Sequence, residues 1–235
     1  DYKTDPLSNT LVINVGGNTS LKGTEIINLN GSSLLKTQGN LNIEGVNTSV
    51  NNRGYTNKDN YNYDKKQQDI GSFIQSAGDT RFQAENISVK GSQISSEQGS
   101  TILSAQQKID ISEGRKLSDA ETAYKTKDKS TFSTTTEKGR VRNMSNEAIA
   151  STIDGKNVIL DANNINIRGS NIISDELTQI QAKENISITG ADNLYLNESE
   201  KNVKKSGFTS SFSDGVANVG YSKSNLNTKQ NSQST

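Results

Sequence analysis

Two stretches decide the fold. Residues 80–112 read TRFQAENISVKGSQISSEQGSTILSAQQKIDIS, and residues 158–189 read VILDANNINIRGSNIISDELTQIQAKENISIT. They align almost without gaps. Phe82 matches Leu160, Ala84 matches Ala162, and Ile87 and Val89 match Ile165 and Ile167. Gly91-Ser92 matches Gly169-Ser170, and Ile94 matches Ile172. After a one-residue slip, Leu103 and Ala105 match Ile180 and Ala182, and Ile109 and Ile111 match Ile186 and Ile188. A weaker third copy is read over Ile27, Leu29, Gly31-Ser32, Leu34, Gly39, Leu41, Ile43 and Gly45.

A shorter period lies inside each copy, 21 residues from Ala84 to Ala105 and 20 from Ala162 to Ala182. Apolar residues spaced by two put their side chains on one face of a strand. Gly and Asn between the runs turn the corners. A unit this small cannot bury its own face and must stack on the next. Stacked coils bring strands about 4.8 Å apart, within backbone hydrogen-bonding reach. The pattern therefore predicts an all-β parallel β-helix, a solenoid of six or seven rungs roughly 30 Å long. The four alanines sit where its interior is narrow. Ile87, Ile109, Ile165 and Ile186 line one dry channel.

Composition agrees and excludes several functions. The chain has 235 residues, 26 basic and 26 acidic, and 29% are hydrophobic. That is well below the roughly 45–50% of ordinary globular domains. It has no Cys and no His, so no Ser–His–Asp triad, thiolate nucleophile or usual zinc site can form. The neutral charge balance gives no electrostatic footprint for nucleic acid. No apolar run approaches the ~20 residues of a membrane-spanning helix. The opening DYKTDP lacks an initiator Met and an apolar signal core, so the chain reads as an internal fragment of something larger.

Polar stretches interrupt the repeats at 51–72, 113–151 and 197–235, each after a pair of rungs. The domain reading is a β-helix over 1–197 with insertions at 51–72 and 113–151. A hairpin excursion follows at 198–224, and 225–235 is read as disordered. In the hairpin, Asp214-Gly215 is a strong two-residue turn signal. Pairing outward sets Ser213 opposite Val216, Phe212 opposite Ala217, Ser210 opposite Val219 and Phe208 opposite Tyr221. Its apolar face is expected to lie on the β-helix or on a partner, with the β-helix favoured. Leu117–Lys127 is read as a short helix.

The candidate partner-contact residues are Tyr55, Tyr61, Tyr63, Phe208, Phe212 and Tyr221. Tyrosines among small polar residues can form recognition surfaces, but for Tyr55, Tyr61 and Tyr63 a solvated, mobile loop is the favoured reading. Two acids about 5–9 Å apart would suffice for glycoside hydrolysis. The pairs Asp110 with Glu113 and Asp161 with Glu184 do not recur: Asp110 aligns with Ser187 and Asp161 with Gln83. They read as turn carboxylates. Asp59, Asn60, Asn62 and Asp64 lack the glycine and terminal glutamate of an EF-hand loop. No catalytic residue, metal or cofactor is expected.

The ~20-residue repeats with Gly-Ser corners resemble the haemagglutinin repeats of filamentous haemagglutinin-like exoproteins. These are the large secreted partners of bacterial two-partner secretion systems. ESEKNVKKSGFTSSFSDGVANVGYSKS, at 198–224, resembles the KKSGF excursion in the second haemagglutinin-repeat region of contact-dependent growth inhibition proteins. The resemblance covers roughly Leu21–Ser224. It implies a right-handed parallel β-helix, an outer-membrane two-partner secretion transporter as export partner, and display on the Gram-negative cell surface. It also implies contact with a host-cell or target-bacterium receptor or outer membrane. The resemblance implies an adhesive shaft, the favoured reading, or a toxin-delivery region; a carbohydrate-active β-helix enzyme is the least favoured alternative.

Overall fold

Ser, Thr, Asn and Gly dominate the chain, and isolated Ile and Val residues punctuate it; such residues are poor in helix interiors. The computed structural model describes residues 9–213 and 216–234, which hold strands and no helix. The first strands are β1 (Leu11–Val15), β2 (Thr19–Lys22), β3 (Glu25–Asn28), β4 (Ser33–Thr37) and β5 (Asn40–Glu44). Then come β6 (Val46–Asn57), β7 (Asn60–Ile70), β8 (Phe73–Ser76), β9 (Thr80–Lys90) and β10 (Gln93–Ser112). The rest are β11 (Gly114–Lys129), β12 (Ser133–Ile149), β13 (Thr152–Arg168), β14 (Asn171–Thr189), β15 (Leu194–Ser213) and β16 (Val216–Ser234).

Ten strands form one sheet whose pairs are parallel, in the order β1-β4-β9-β10-β13-β14, with β2, β3, β5 and β8 joined to it at the side. Equivalent side chains fall into ladders. One runs Ile13, Leu35, Phe82, Leu103, Leu160, Ile180. A second runs Thr19, Leu41, Ile87, Ile109, Ile165, Ile186, and a third Leu21, Ile43, Val89, Ile111, Ile167, Ile188. A fourth joins Ile26, Ile74, Ile94, Ile153 and Ile172. The apolar pattern thus recurs in six successive turns. The middle members of every ladder are buried, each worth about 1.5–3 kcal/mol. Register shifts at Ser96/Ser100 and Ser104/Lys108 absorb unequal turn lengths as bulges.

The corners have a chemical logic. The first, third and fifth turns end at Gly23, Gly91 and Gly169, with φ of 55°, 54° and 52°. A β-carbon on Gly91 would stand 2.9 Å from the Gly114 Cα, so both conformation and space demand glycine there. Serines at equivalent positions bond from turn to turn. Thr24 N–H donates to Ser72 Oγ, Ser72 N–H to Ser92 Oγ, and Ser92 N–H to Ser151 Oγ. Buried backbone donors at the corner are satisfied without a strand ladder.

Several findings differ from the sequence reading. Ile87, Ile109 and Ile165 are buried, but Ile186 of the same ladder is 48% exposed. It lies on β14, the last strand of the sheet, and no further turn covers it. The third copy is shifted: Ile27 and Leu29 are exposed, and Leu41 and Ile43 take the places opposite Ile87 and Val89. Leu117–Lys127 is strand within β11, not helix. Alternation of side chains across a paired strand outweighs the weak helical spacing of its alanines.

The chain divides into two units. One comprises the described residues up to Thr48, Gln67–Lys116 and Glu147–Asp192. The other comprises Ser49–Lys66, Leu117–Asn146 and Asn193 onward, and holds most of a six-stranded sheet ordered β16-β15-β12-β11-β7-β6. The hairpin register agrees with the sequence reading: Phe208 faces Tyr221, Ser210 faces Val219, Phe212 faces Ala217 and Ser213 faces Val216. The Asp214-Gly215 turn itself lies outside the described residues. Pairing continues to Tyr195 opposite Ser234, so 225–234, read as disordered, is strand.

Candidate interaction surface

In the six-stranded sheet, residues two apart share a face. Tyr61 and Tyr63 on β7 donate to Glu121 and Asp119 on β11. Arg140 on β12 forks onto Glu121 at 2.9 and 3.0 Å, and Arg142 onto Asp119 at 2.9 Å twice. Two tyrosine–carboxylate–arginine relays therefore cross three strands side by side. Arg140 also approaches Glu198 of β15 at 3.6 Å, and Lys229 of β16 pairs with Glu200 at 2.8 Å. Such bidentate pairs are geometrically specific. Nearby, Lys125 and Lys138 clamp Asp59 at 3.0 and 2.9 Å.

Electrostatics follow from these contacts. Arg140 holds the Glu121 carboxyl below its ordinary range, and Arg142 does the same for Asp119. Hydrogen bonds from Lys138 and then Lys125 lower Asp59 to about 2. Accepted by Glu121, the Tyr61 hydroxyl is raised; burial and then Asp119 raise Tyr63. These charges are mutually compensated and build the sheet. Tyr124 also spans strands: its ring lies 2.3 Å from where a Gly139 β-carbon would be, and its hydroxyl donates to Glu137 at 2.8 Å.

The candidate residues therefore separate. Tyr61 and Tyr63 are built into the relays. Tyr55, on the edge strand β6, is exposed, with Arg53 5.6 Å over its ring. Phe208, Phe212 and Tyr221 are 62, 77 and 56% exposed, so the apolar hairpin face does not have the covering that the sequence reading favoured. Phe208 and Tyr221 meet edge to face, ring centres 5.5 Å apart. Residues that sequence reasoning missed are Asp119, Glu121, Arg140 and Arg142. Their signal was Tyr-x-Tyr, Asp-x-Glu and Arg-x-Arg at 61–63, 119–121 and 140–142, three complementary pairs at strand spacing.

Three of the four carboxylates considered for hydrolysis have polar partners of their own. Glu113 has no exposed side-chain surface and accepts from Arg115 at 2.7 Å and Arg168 at 3.0 Å. Asp110 pairs with Lys108 at 2.8 Å, and Glu184 accepts from Asn164. Among the described residues, no group of three or more Asp or Glu could hold a metal ion.

In comparison with known families, the hemagglutinin repeat model matches residues 132–235. This supports a filamentous haemagglutinin-like repeat region, in agreement with the resemblance read from the repeats and the KKSGF excursion. Proteins with such repeats are typically secreted bacterial surface proteins. No curated protein and no solved structure matches the chain.

Proposed function

We propose that this chain is a shaft segment, structural and adhesive and without enzymatic activity, of a large exoprotein exported by two-partner secretion to a Gram-negative cell surface. In this reading the six parallel turns are rungs of a right-handed β-helix. The observation that carries it is the set of apolar ladders running in register through successive turns, joined to the hemagglutinin repeat match. Stacking by nearest-neighbour turns suits a chain that crosses a pore unfolded and then folds from one end. The partners are the outer-membrane transporter and a receptor or membrane on the apposed cell.

The test is surface display. The parent exoprotein, produced in intact cells with and without its transporter, should be labelled by antibody to this segment only when the transporter is present. Retention inside the cell in both cases overturns the reading. A second reading, a delivery region of a contact-dependent growth inhibition protein, is favoured by the KKSGF excursion at 204–208, inside the matched residues. Deleting 198–224 would then abolish killing of target cells in co-culture while leaving surface display intact.

A further inference from the structure

Three of the chain's five phenylalanines are exposed, and all three stand at one end of the six-stranded sheet. Pairing of β12 with β15 stops at Ser133 opposite Gly207, whereas the β15–β16 hairpin runs on. Residues 208–213 and 216–221 thus extend past the pairing with β12 as a two-stranded overhang. A two-stranded ribbon is marginal alone in water. One face of this ribbon nevertheless carries Phe208, Phe212, Val219 and Tyr221, and Phe132 lies beside it, its carbonyl accepting from Phe208 N–H at 2.9 Å. Val219 and Phe132 are 75 and 68% exposed. Clustered exposed apolar residues of this kind mark an interaction site.

Charge identifies the occupant. By register, Lys204 and Lys223 follow the aromatics on the same face, and Lys205 stands on the other. Lys223 lies 5.6 Å from the centre of the Tyr221 ring. None of the three lysines has an ion pair among the described residues, whereas Lys201 and Lys229 are neutralised by Glu137 and Glu200. The only acid in the sequence between Lys201 and Lys229 is Asp214. Lys204, Lys205, Lys223, Thr134 and Thr136 also line a concavity of about 380 Å³ rich in hydroxyl groups. Aromatics at the tip, then lysines and hydroxyls behind them, match the order of acyl boundary and phosphate headgroup in a bilayer.

We propose that the overhanging β15–β16 tip docks on an anionic phospholipid surface, its aromatic side chains entering the interface and Lys204, Lys205 and Lys223 meeting lipid phosphates. This goes beyond the shaft reading and rests on the hairpin alone. The test is flotation of the full chain with vesicles of phosphatidylcholine and phosphatidylglycerol, and with phosphatidylcholine alone. The chain should float with the anionic vesicles, and K204Q/K205Q/K223Q should weaken that binding about tenfold or more. F208S/F212S/Y221S should also release it, with the circular dichroism of both variants unchanged because the altered side chains are exposed. In F212W, the tryptophan emission should shift to the blue when anionic vesicles are added. Absence of flotation with either vesicle, or an unshifted emission, overturns the proposal. So does self-association lost in F208S/F212S/Y221S without vesicle binding, which would give the face to a second copy.

Discussion

Ile109 and Ile186 occupy the same ladder two turns apart, and replacing each by alanine tests whether the ladder is a shared core. Ile109 is wholly buried between Ile87 and Ile165. Removing its outer carbons leaves a cavity walled on both sides by stacked turns, so Ile109→Ala should cost about 3–4 kcal/mol. Ile186 is 48% exposed and has a stacked neighbour on one side only. It loses about half the transfer free energy of the same atoms and leaves no closed cavity, which gives about 1 kcal/mol. Urea unfolding followed by far-ultraviolet circular dichroism measures both. The expected result is a large fall in midpoint for Ile109→Ala and a small one for Ile186→Ala, with slopes unchanged. Equal losses, or a larger loss at Ile186, would refute the stacked-ladder reasoning.

Other predictions concern charge and backbone. Glu113→Gln should destabilise by about 1–3 kcal/mol in the same urea assay, because two charge-assisted contacts vanish but Arg115 and Arg168 can turn to water. The double change Arg115→Ala with Arg168→Ala should cost more, about 3–5 kcal/mol, because it strands a buried carboxylate. Asp59, Asp119 and Glu121 all titrate below their unfolded values. Their stabilisation is therefore complete above those unfolded values, about 3.9 for Asp and 4.3 for Glu, and is lost as pH falls through the folded ones. Carbon-detected titration should place Asp59 near 2, and Lys138→Met should move it up toward 3.8. Gly91→Ala should lower the urea midpoint by about 1–3 kcal/mol equivalent, more than Gly16→Ala, whose β-carbon would meet open space.

The parallel sheet was legible because its signal is repetition. Ile-x-Ile followed by a glycine corner is read once and then checked against further copies, and Ile87, Ile109 and Ile165 all came out buried. The weak copy misled because Gly31-Ser32 looks like the corner dipeptide, whereas the corner equivalent to Gly91-Ser92 is Gly23-Thr24, where the glycine has the positive φ. The six-stranded sheet was mostly illegible for a different reason. Its order depends on contacts between segments some sixty residues apart, such as Tyr61 with Glu121, and its residues are polar on both faces, so no hydrophobic alternation announces the strands. Only the last hairpin was readable, since a two-residue turn signal fixes register locally.

The placement of the excursions also has a physical cause. The first, third and fifth turns close at a glycine of positive φ, whose N–H donates to the carbonyl that ends the next turn: Gly23 to Glu44, Gly91 to Ser112, Gly169 to Thr189. The second and fourth turns instead run on into β6 and β11, and the sixth leads to β15. The repeating module is therefore two turns and one hairpin. Within the six-stranded sheet, the order β7-β11 and β12-β15 shows each new hairpin pairing with the one before it. Lengthening the protein by whole modules therefore keeps every ladder of the parallel sheet and every hairpin neighbour of the other.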